Sequence, residues 1–568
     1  MTVGVVGSGP ALDEVTRALE DVDVSVRTGD VEIVEAVDLA VVAGLAGSGG
    51  FERANDLALA GETPWIALEV GGIGGVPIED VDASIAALEP GVACFDCLRT
   101  RVRSVGAEAA DEPSADRTAV RLAGAYAGQL AVRSIAGAAV AGTVIELPHV
   151  RRTLLGAPGC RCQVDGDGTI DRSDVDRSLE ESITQAERAI DDRVGIVPHV
   201  GEHDSFPAPY YLATVADTTA FGDGDAPDRA AGVAEDWDHA FMKALGEALE
   251  RYSAAIYRED DFERATVAAV DGISPARFVR PTDAPAVEDG DVLPWVEGVD
   301  IASGAEVALP AGFVHFPPPD DRGARTITTG LGLGNDWAEA VLSGLYEVVE
   351  RDATMLSWYS TYEPMTLAVD DDRFSRLERR ARSEGLSVTP LLMTQDVDVP
   401  VVATALTREE WPAFAVGSAA DLDATAAARD SLAEAIQNWM ELRDMDREEA
   451  AQAEGAIVRY ADFPREVRDF ADAAGTVPAA DVGVEEPLSG TAELEVVLDR
   501  VGDVDLDAYA ASVTPRDVAE LGFEAVRVLV PEAQPLFVDE PFFGERAKTV
   551  PRDLGYEPRL DRPFHPYP

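Results

Sequence analysis

Lysine is nearly missing from this chain: of 568 residues, only Lys243 and Lys548 carry an ammonium side chain. Lys plus Arg number 46 against 106 Asp plus Glu, a formal net charge of −60. Binding along a nucleic acid needs a basic surface to neutralise phosphate, so no nucleic-acid partner is expected. At ordinary ionic strength such self-repulsion weakens the compact state. In molar salt the screening length falls to about 3 Å. The acidity therefore reads as adaptation to a salt-filled cytoplasm of the kind halophilic archaea have.

Long apolar runs are missing too. None approaches the roughly 18 residues of a membrane span, so no membrane partner is expected. No basic stretch precedes an apolar segment in Met1-Thr-Val-Gly-Val-Val-Gly7, so no signal peptide is visible and the cytoplasm is the default compartment. A phosphate-binding Gly-x-x-x-x-Gly-Lys-Ser/Thr loop is absent, because Lys548-Thr549 follows Ala547 rather than glycine. Any bound ATP must then be held by metals, arginines and backbone.

Cysteine is scarce but grouped. The only four are Cys94-Phe-Asp-Cys97 and Cys160-Arg-Cys162. Two close pairs in a reducing cell read as four thiolate ligands of a structural zinc ion. Buried free thiols and a disulfide are the alternatives, the latter disfavoured by compartment.

What is present begins with an α/β pattern. Val3–Val6, Leu39–Ala43 and Trp65–Val70 read as buried strands of a parallel sheet, with an amphipathic helical stretch reaching Leu19. Gly7 and Gly9 fit a tight strand-to-helix turn, since Leu12 spoils a dinucleotide fingerprint. An Ala-rich helix is expected over Ala119–Ala141 and a strand over Gly142–Leu147. The Gly/Asp-rich stretch Asp165–Arg177 reads as a boundary, giving domains of 1–165 and 175–568. Later, Thr326–Asn335 places glycine at every second position from Gly330 to Gly334. Helices are expected from Asp336 to about Met355 and over Thr425–Leu442, and a strand over Ala525–Val530.

One pattern occurs twice: Glu247-Ala-Leu-Glu250-Arg251 and Glu347-Val-Val-Glu350-Arg351. Residues at i, i+3 and i+4 share a helix face, so each copy projects two carboxylates and a guanidinium together. Two like charges about 5 Å apart repel by roughly 3 kcal/mol at an effective dielectric near 20. Such a pair is tolerated if it is solvated, as on an ordinary acidic helix face, or if cations sit between the groups. If the two helices face each other, four carboxylates surround one cavity suited to magnesium and a polyphosphate.

The ordered series Gly-Glu247-x-x-Glu250-Arg-Tyr, Gly-Leu-Gly-Asn335, Glu347-x-x-Glu350-Arg-Asp and Ala433-Glu434-x-x-Gln437, with the ending Pro563-Phe-His-Pro566-Tyr-Pro568, resembles the YcaO family over about residues 175–568. The resemblance implies an α+β ATP-binding domain that uses Mg2+. Glu247, Glu250, Asn335, Glu347, Glu350, Glu434 and Gln437 would be its metal and nucleotide residues. Arg251 and Arg351 would bind phosphate or brace the carboxylates. Lys243 stands where family members commonly carry serine. The first 165 residues resemble the degenerate ThiF-like, Rossmann-like module fused to such domains in thiazole/oxazole-forming peptide maturases. His149–Cys162 matches that module's zinc-bearing end, although Cys-x-x-Cys is usual where this chain has Cys-x-Cys.

The resemblance implies a reaction as well. A Cys, Ser or Thr side chain of a ribosomal peptide attacks the preceding carbonyl, ATP phosphorylates the oxyanion, and loss of phosphate leaves an azoline ring. The carboxylate of Pro568 is then a catalytic base. The sheet pattern begins at residue 3, so a small leader-binding domain is not expected and a separate leader-peptide-binding protein is implied. Homodimerisation stays open. Three alternatives also stay open: thioamidation of a peptide or protein backbone by sulfide, a non-catalytic acidic scaffold, and adenylation by the N-terminal sheet.

Overall fold

The computed structural model describes every residue except 149, 164–171, 289, 320–326, 446, 451, 454 and 485. His149, Thr326 and residues 165–171 of the expected boundary therefore lie outside the described residues.

The chain is a mixed α/β molecule. Its first sheet has seven strands in the order Ser25–Gly29, Thr2–Val6, Leu39–Leu45, Trp65–Val70, Ala83–Leu88, Thr143–Leu147 and Val150–Thr153. The first four are mutually parallel, and each later strand is antiparallel to its neighbour. The strands read from sequence, Val3–Val6, Leu39–Ala43 and Trp65–Val70, lie in the parallel part as expected; beyond Val70 the sheet continues antiparallel. Between Val70 and Ala83 there is only a two-residue hairpin, Gly72–Ile73 with Val76–Pro77. Without a crossover helix the chain returns antiparallel.

Helices Pro10–Glu20 and Arg117–Ile135 cover one face, burying Leu12, Val15, Ile66, Leu68, Ala127 and Leu130. The second of these was expected to reach Ala141. It stops at Ile135 because Gly137 adopts φ 80°, a left-handed conformation that ends helices at low steric cost. The other face buries Phe51, Trp65 and Leu98, and this core runs on into Leu245, Leu249 and Tyr252. No described helix is long and apolar enough to cross a membrane.

After residue 178 three further sheets form. One has three strands, His199–Asp204, Tyr210–Thr214 and Arg229–Val233. A second joins Glu263–Ala265, Leu293–Asp300, Glu306–Pro310, Tyr509–Ser512, Glu524–Leu529 and Leu331–Gly334. A third joins Phe414–Ala420, Val401–Thr407, Ser387–Leu392, Met365–Ala368 and Thr476–Pro478. Each contributes one strand that leads directly into a long helix.

Candidate active site

Three strand–helix units build the site. Arg229–Val233 leads into helix Trp237–Ala255, Leu331–Gly334 into Trp337–Trp358, and Phe414–Ala420 into Ala424–Asp444. Every helix starts on an aspartate whose carboxylate accepts a first-turn N–H: Asp236 from His239, Asp336 from Glu339, Asp423 from Thr425. Such caps satisfy backbone donors that the helix itself cannot. Eleven residues after its cap each helix carries a glutamate: Glu247, Glu347 and Glu434. Fourteen after the cap come Glu250, Glu350 and Gln437. Strand and helix approach closely in each unit. A Cβ on Gly232 would lie 2.3 Å from the Ala240 oxygen, and one on Gly332 would lie 2.1 Å from the Ala340 oxygen, so only glycine fits.

That close approach lets strand N–H groups hold the helix carboxylates. Glu247 Oε2 accepts from Ala231 N at 2.7 Å, and Glu347 Oε2 from Gly330 N at 2.9 Å. Glu434 Oε2 accepts from Ser418 N at 2.5 Å, and Glu250 Oε1 from Leu333 N at 3.0 Å. Glu350 is 7% exposed and accepts from Ser418 Oγ at 2.6 Å. Ser418 thereby joins the second helix to the third.

Two guanidiniums lie among these groups. Arg251 Nη2 is 2.5 Å from Glu247 Oε1, while Arg351 is 3.6 Å from Glu347 and 3.5 Å from Glu350. The Nε atoms of both arginines are buried without a hydrogen-bond partner. Each guanidinium thus lies against neighbouring carboxylates.

Burial is the largest influence on the acids. It lifts Glu247, Glu250, Glu350 and Glu434 above the ordinary carboxyl range, Glu434 to about 8. Like charges add to this: Glu247 and Glu347 act on Glu250, and Glu350 acts on Glu434. Burial disfavours the charge on Arg351, but Glu350, Glu347 and Glu434 outweigh it and hold the guanidinium protonated. Carboxylates from three helices therefore share one recess and repel one another there.

The other expected residues are held by partners outside the five glutamates. Asn335 Oδ1 accepts from Arg177 Nη1 and Ser182 Oγ, both at 2.9 Å, and its Nδ2 donates to Glu339 at 2.9 Å. Gln437 does not bond to the five glutamates; its Nε2 donates to Glu441 at 3.2 Å. Lys243 points across to the third helix, where Nζ meets Asp430 at 2.6 Å. Arg177, Ser182, Glu339, Ser418 and Asp430 were not singled out from sequence. The one available signal was the cap aspartate recurring eleven residues before each glutamate.

The proline-rich end is packed. Trp358 Nε1 donates to the Pro563 oxygen at 2.8 Å, His565 Nε2 to the Phe537 oxygen at 2.7 Å, and Tyr567 is fully buried. These contacts bring the Pro568 oxygen to 3.3 Å from Arg351 Nη1.

The four cysteines also converge. Their Sγ atoms lie within 4.8 Å of one another, with Cys94–Cys160 at 3.5 Å, Cys97–Cys162 at 3.4 Å and Cys94–Cys97 at 3.9 Å. These separations are far longer than the roughly 2.05 Å of a disulfide. They match the edges, about 3.8 Å, of a tetrahedron with Zn–S bonds near 2.3 Å. Ala157 N donates to Cys97 Sγ at 3.2 Å and Arg516 Nη1 to Cys162 Sγ at 3.5 Å, donors of the kind that stabilise thiolates.

Comparison with known proteins agrees with this architecture. A family model described as YcaO cyclodehydratase, ATP- and Mg2+-binding, matches residues 231–534. An uncharacterised protein of Methanothermobacter thermautotrophicus is 29% identical over 325 residues, covering 55% of this chain and 82% of its own. A heterocyclase solved with substrate and cofactor superposes with a TM-score of 0.74 at 19% identity, covering 98% of this chain and 83% of that one. The heterocyclase TruD gives 0.66 at 18% identity, covering 98% and 82%. At such identities the superpositions speak for a shared fold. The family match spans more than half of the chain and takes in all three strand–helix units, so the protein belongs to the YcaO family of ATP-dependent cyclodehydratases.

Proposed function

We propose that Glu247, Glu250, Glu347, Glu350 and Glu434 hold Mg2+ and the polyphosphate of ATP, and that the enzyme phosphorylates a peptide backbone amide to form an azoline. The observation that carries this reading is the convergence of the five acids from three helices, with Arg251 and Arg351 between them. Fully ionised, the cluster repels itself, and compact divalent cations with oxygen ligands relieve that strain. The buried, unpartnered Nε atoms of the two arginines suit phosphate oxygens. Asn335, fixed by Arg177 and Ser182, is assigned to the nucleotide.

Bound Mg2+ supplies neutralisation of the triphosphate charge. The chain's own groups do the remainder. Backbone N–H bonds to Glu247, Glu250, Glu347 and Glu434, and the Ser418 hydroxyl on Glu350, fix the carboxylates before ligand arrives, which limits reorganisation at the moment of transfer. In the peptide, a Cys, Ser or Thr side chain adds to the preceding carbonyl, and the oxyanion takes the γ-phosphoryl group from ATP, releasing ADP. The side chain loses its S–H or O–H proton on addition. Orthophosphate then leaves carrying the former carbonyl oxygen, and the amide N–H proton is lost as the C=N bond forms, giving the azoline. The Pro568 carboxylate, held at Arg351, is assigned as the base for that proton.

The four thiolates are assigned a structural Zn2+, supported by their separations and by the Ala157 and Arg516 donors. We assign residues 1–165 and 175–568 to two domains, the first serving the second through this thiolate end. A peptide substrate is inferred, delivered with a partner protein that recognises its leader. Mass spectrometry of a Cys- or Ser-containing peptide with ATP and Mg2+ tests the reading. Loss of one water per ADP formed supports cyclodehydration; replacement of oxygen by sulfur in the presence of sulfide would instead make the enzyme a thioamidating one.

A further inference from the structure

On the flank of the second helix an apolar cleft of about 110 Å3 opens beside the carboxylate cluster. Its walls include Phe278, Phe313, Val348, Leu536 and Phe542, with Phe278 and Phe313 stacked at 4.0 Å between ring centroids. A cavity of about 150 Å3 takes up one benzene ring, so this space is of the order of a single apolar side chain, with the backbone left at the mouth of the cleft. The lining also carries charge: Arg351 and Arg527 belong to it.

These two arginines connect the cleft to the chemistry. Arg351 belongs to the carboxylate cluster and touches the Pro568 oxygen. Arg527 is 3% exposed and spends Nη1 and Nη2 on the Thr328 and Ile327 oxygens, at 3.0 and 2.8 Å. Its Nε, like that of Arg351, has no partner among the described residues. Burial pulls Arg527 down to about 10, and Glu347 of the cluster pulls the other way, so the two groups lie within electrostatic reach. Buried donors without acceptors are costly, and a bound carbonyl would satisfy them. The occupant that fits is an apolar side chain with acceptor oxygens on its backbone.

We propose that this cleft binds the substrate peptide, seating a bulky apolar side chain next to the reacting amide while Arg351 and Arg527 face the backbone carbonyls. The inference rests on the catalytic assignment above, because it is the cluster's own arginine that forms part of the cleft lining. It predicts that the enzyme prefers aromatic or branched aliphatic residues beside the modified position. An acidic residue there meets apolar walls and loses its hydration.

The test uses the full chain in molar KCl with Mg2+ and a non-hydrolysable ATP analogue. The probe is a dipeptide amide, N-acetyl-p-benzoylphenylalanyl-cysteinamide, photo-crosslinked and mapped by mass spectrometry. Cross-links are expected within residues 278–281, 311–314 and 533–542, and N-acetyl-phenylalanyl-cysteinamide should suppress them at least tenfold better than the aspartyl analogue. Phe313→Arg should lower the yield at least fivefold while analogue binding, read by titration calorimetry, stays unchanged. The competition on the unmodified protein needs no variant and decides the matter if that substitution disturbs folding. Cross-links elsewhere, or equal suppression by both dipeptides with analogue binding intact, would overturn the cleft assignment alone. Failure of the protein to bind the analogue in Mg2+ would instead overturn the catalytic reading beneath it.

Discussion

The hydroxyl of Tyr252 donates to Asp517 Oδ2 at 2.6 Å, and both side chains are sealed from solvent. Arg101 completes the contact as a buried ion pair with the same carboxylate. Tyr252 directly follows Arg251 on the first carboxylate-bearing helix, Arg101 lies on the helix that begins after Cys94, and Asp517 neighbours Arg516, which reaches Cys162. One short helix, Arg516–Glu520, thus ties the cysteine-bearing end of the N-terminal sheet to the helix that carries Glu247 and Glu250.

Removing Asp517 leaves Arg101 as an uncompensated buried cation. Asp517→Ala should destabilise the protein by about 3–5 kcal/mol, and Tyr252→Phe by only about 1 kcal/mol. Chemical denaturation at fixed salt measures both. Equal, small effects would show that the network contributes little.

Glu69 provides a pH signature away from the catalytic cluster. Burial raises its carboxyl to about 7 although Gly74 N and Gly75 N donate to it at 2.6 and 2.7 Å. An unfolded glutamate titrates near 4.3. Between those values the folded chain holds the extra proton, so this contribution to stability is complete below about pH 4 and is lost as pH rises through 7. Glu69→Gln should flatten the decline in stability from pH 5 to pH 8, by no more than a few kcal/mol. A variant with the wild-type slope would remove Glu69 as its source.

The thiolate cluster should bind one zinc ion per chain. At a thousandfold excess of free zinc over Kd the bound metal stabilises by about 4 kcal/mol. Stripping it with a chelator under reducing conditions should lower the melting temperature, and Cys162→Ser should abolish the difference. Identical melting with and without chelator would leave the cysteines as plain buried thiols.

Charge screening should set overall stability. At 1 M salt the screening length is about 3 Å, and at 0.1 M it is about 10 Å. With a formal charge of −60, dilution from 2 M to 0.1 M KCl should lower the unfolding midpoint markedly. A midpoint indifferent to salt would mean that the acidity is balanced locally.

The first two strand–helix units were legible because Glu-x-x-Glu-Arg places three charges on one helix face. The third was less visible, since Gln437 and Asn438 stand where the other units carry glutamate and arginine. Pairing of Glu350 with Ser418 and of Lys243 with Asp430 depends on a strand and a helix far away in the chain, which helical periodicity does not encode. The same limit explains Glu350: its place on the helix face was clear, but its burial comes from the Phe414–Ala420 strand. In the first sheet the strands themselves were readable from buried apolar runs. Their switch from parallel to antiparallel was not, because direction follows from the connection after Val70 rather than from any strand's composition.

The central claim is that acids on separate helices jointly hold a magnesium-bound nucleotide. Titration calorimetry of a non-hydrolysable ATP analogue, with and without Mg2+, tests it on the wild type, Glu247→Gln and Glu350→Gln, with circular dichroism as the control for folding. The account predicts Mg2+-dependent binding by the wild type and at least a tenfold weaker Kd in each folded variant, about 1.4 kcal/mol or more. Affinities unchanged by both substitutions, or binding indifferent to Mg2+, would contradict it.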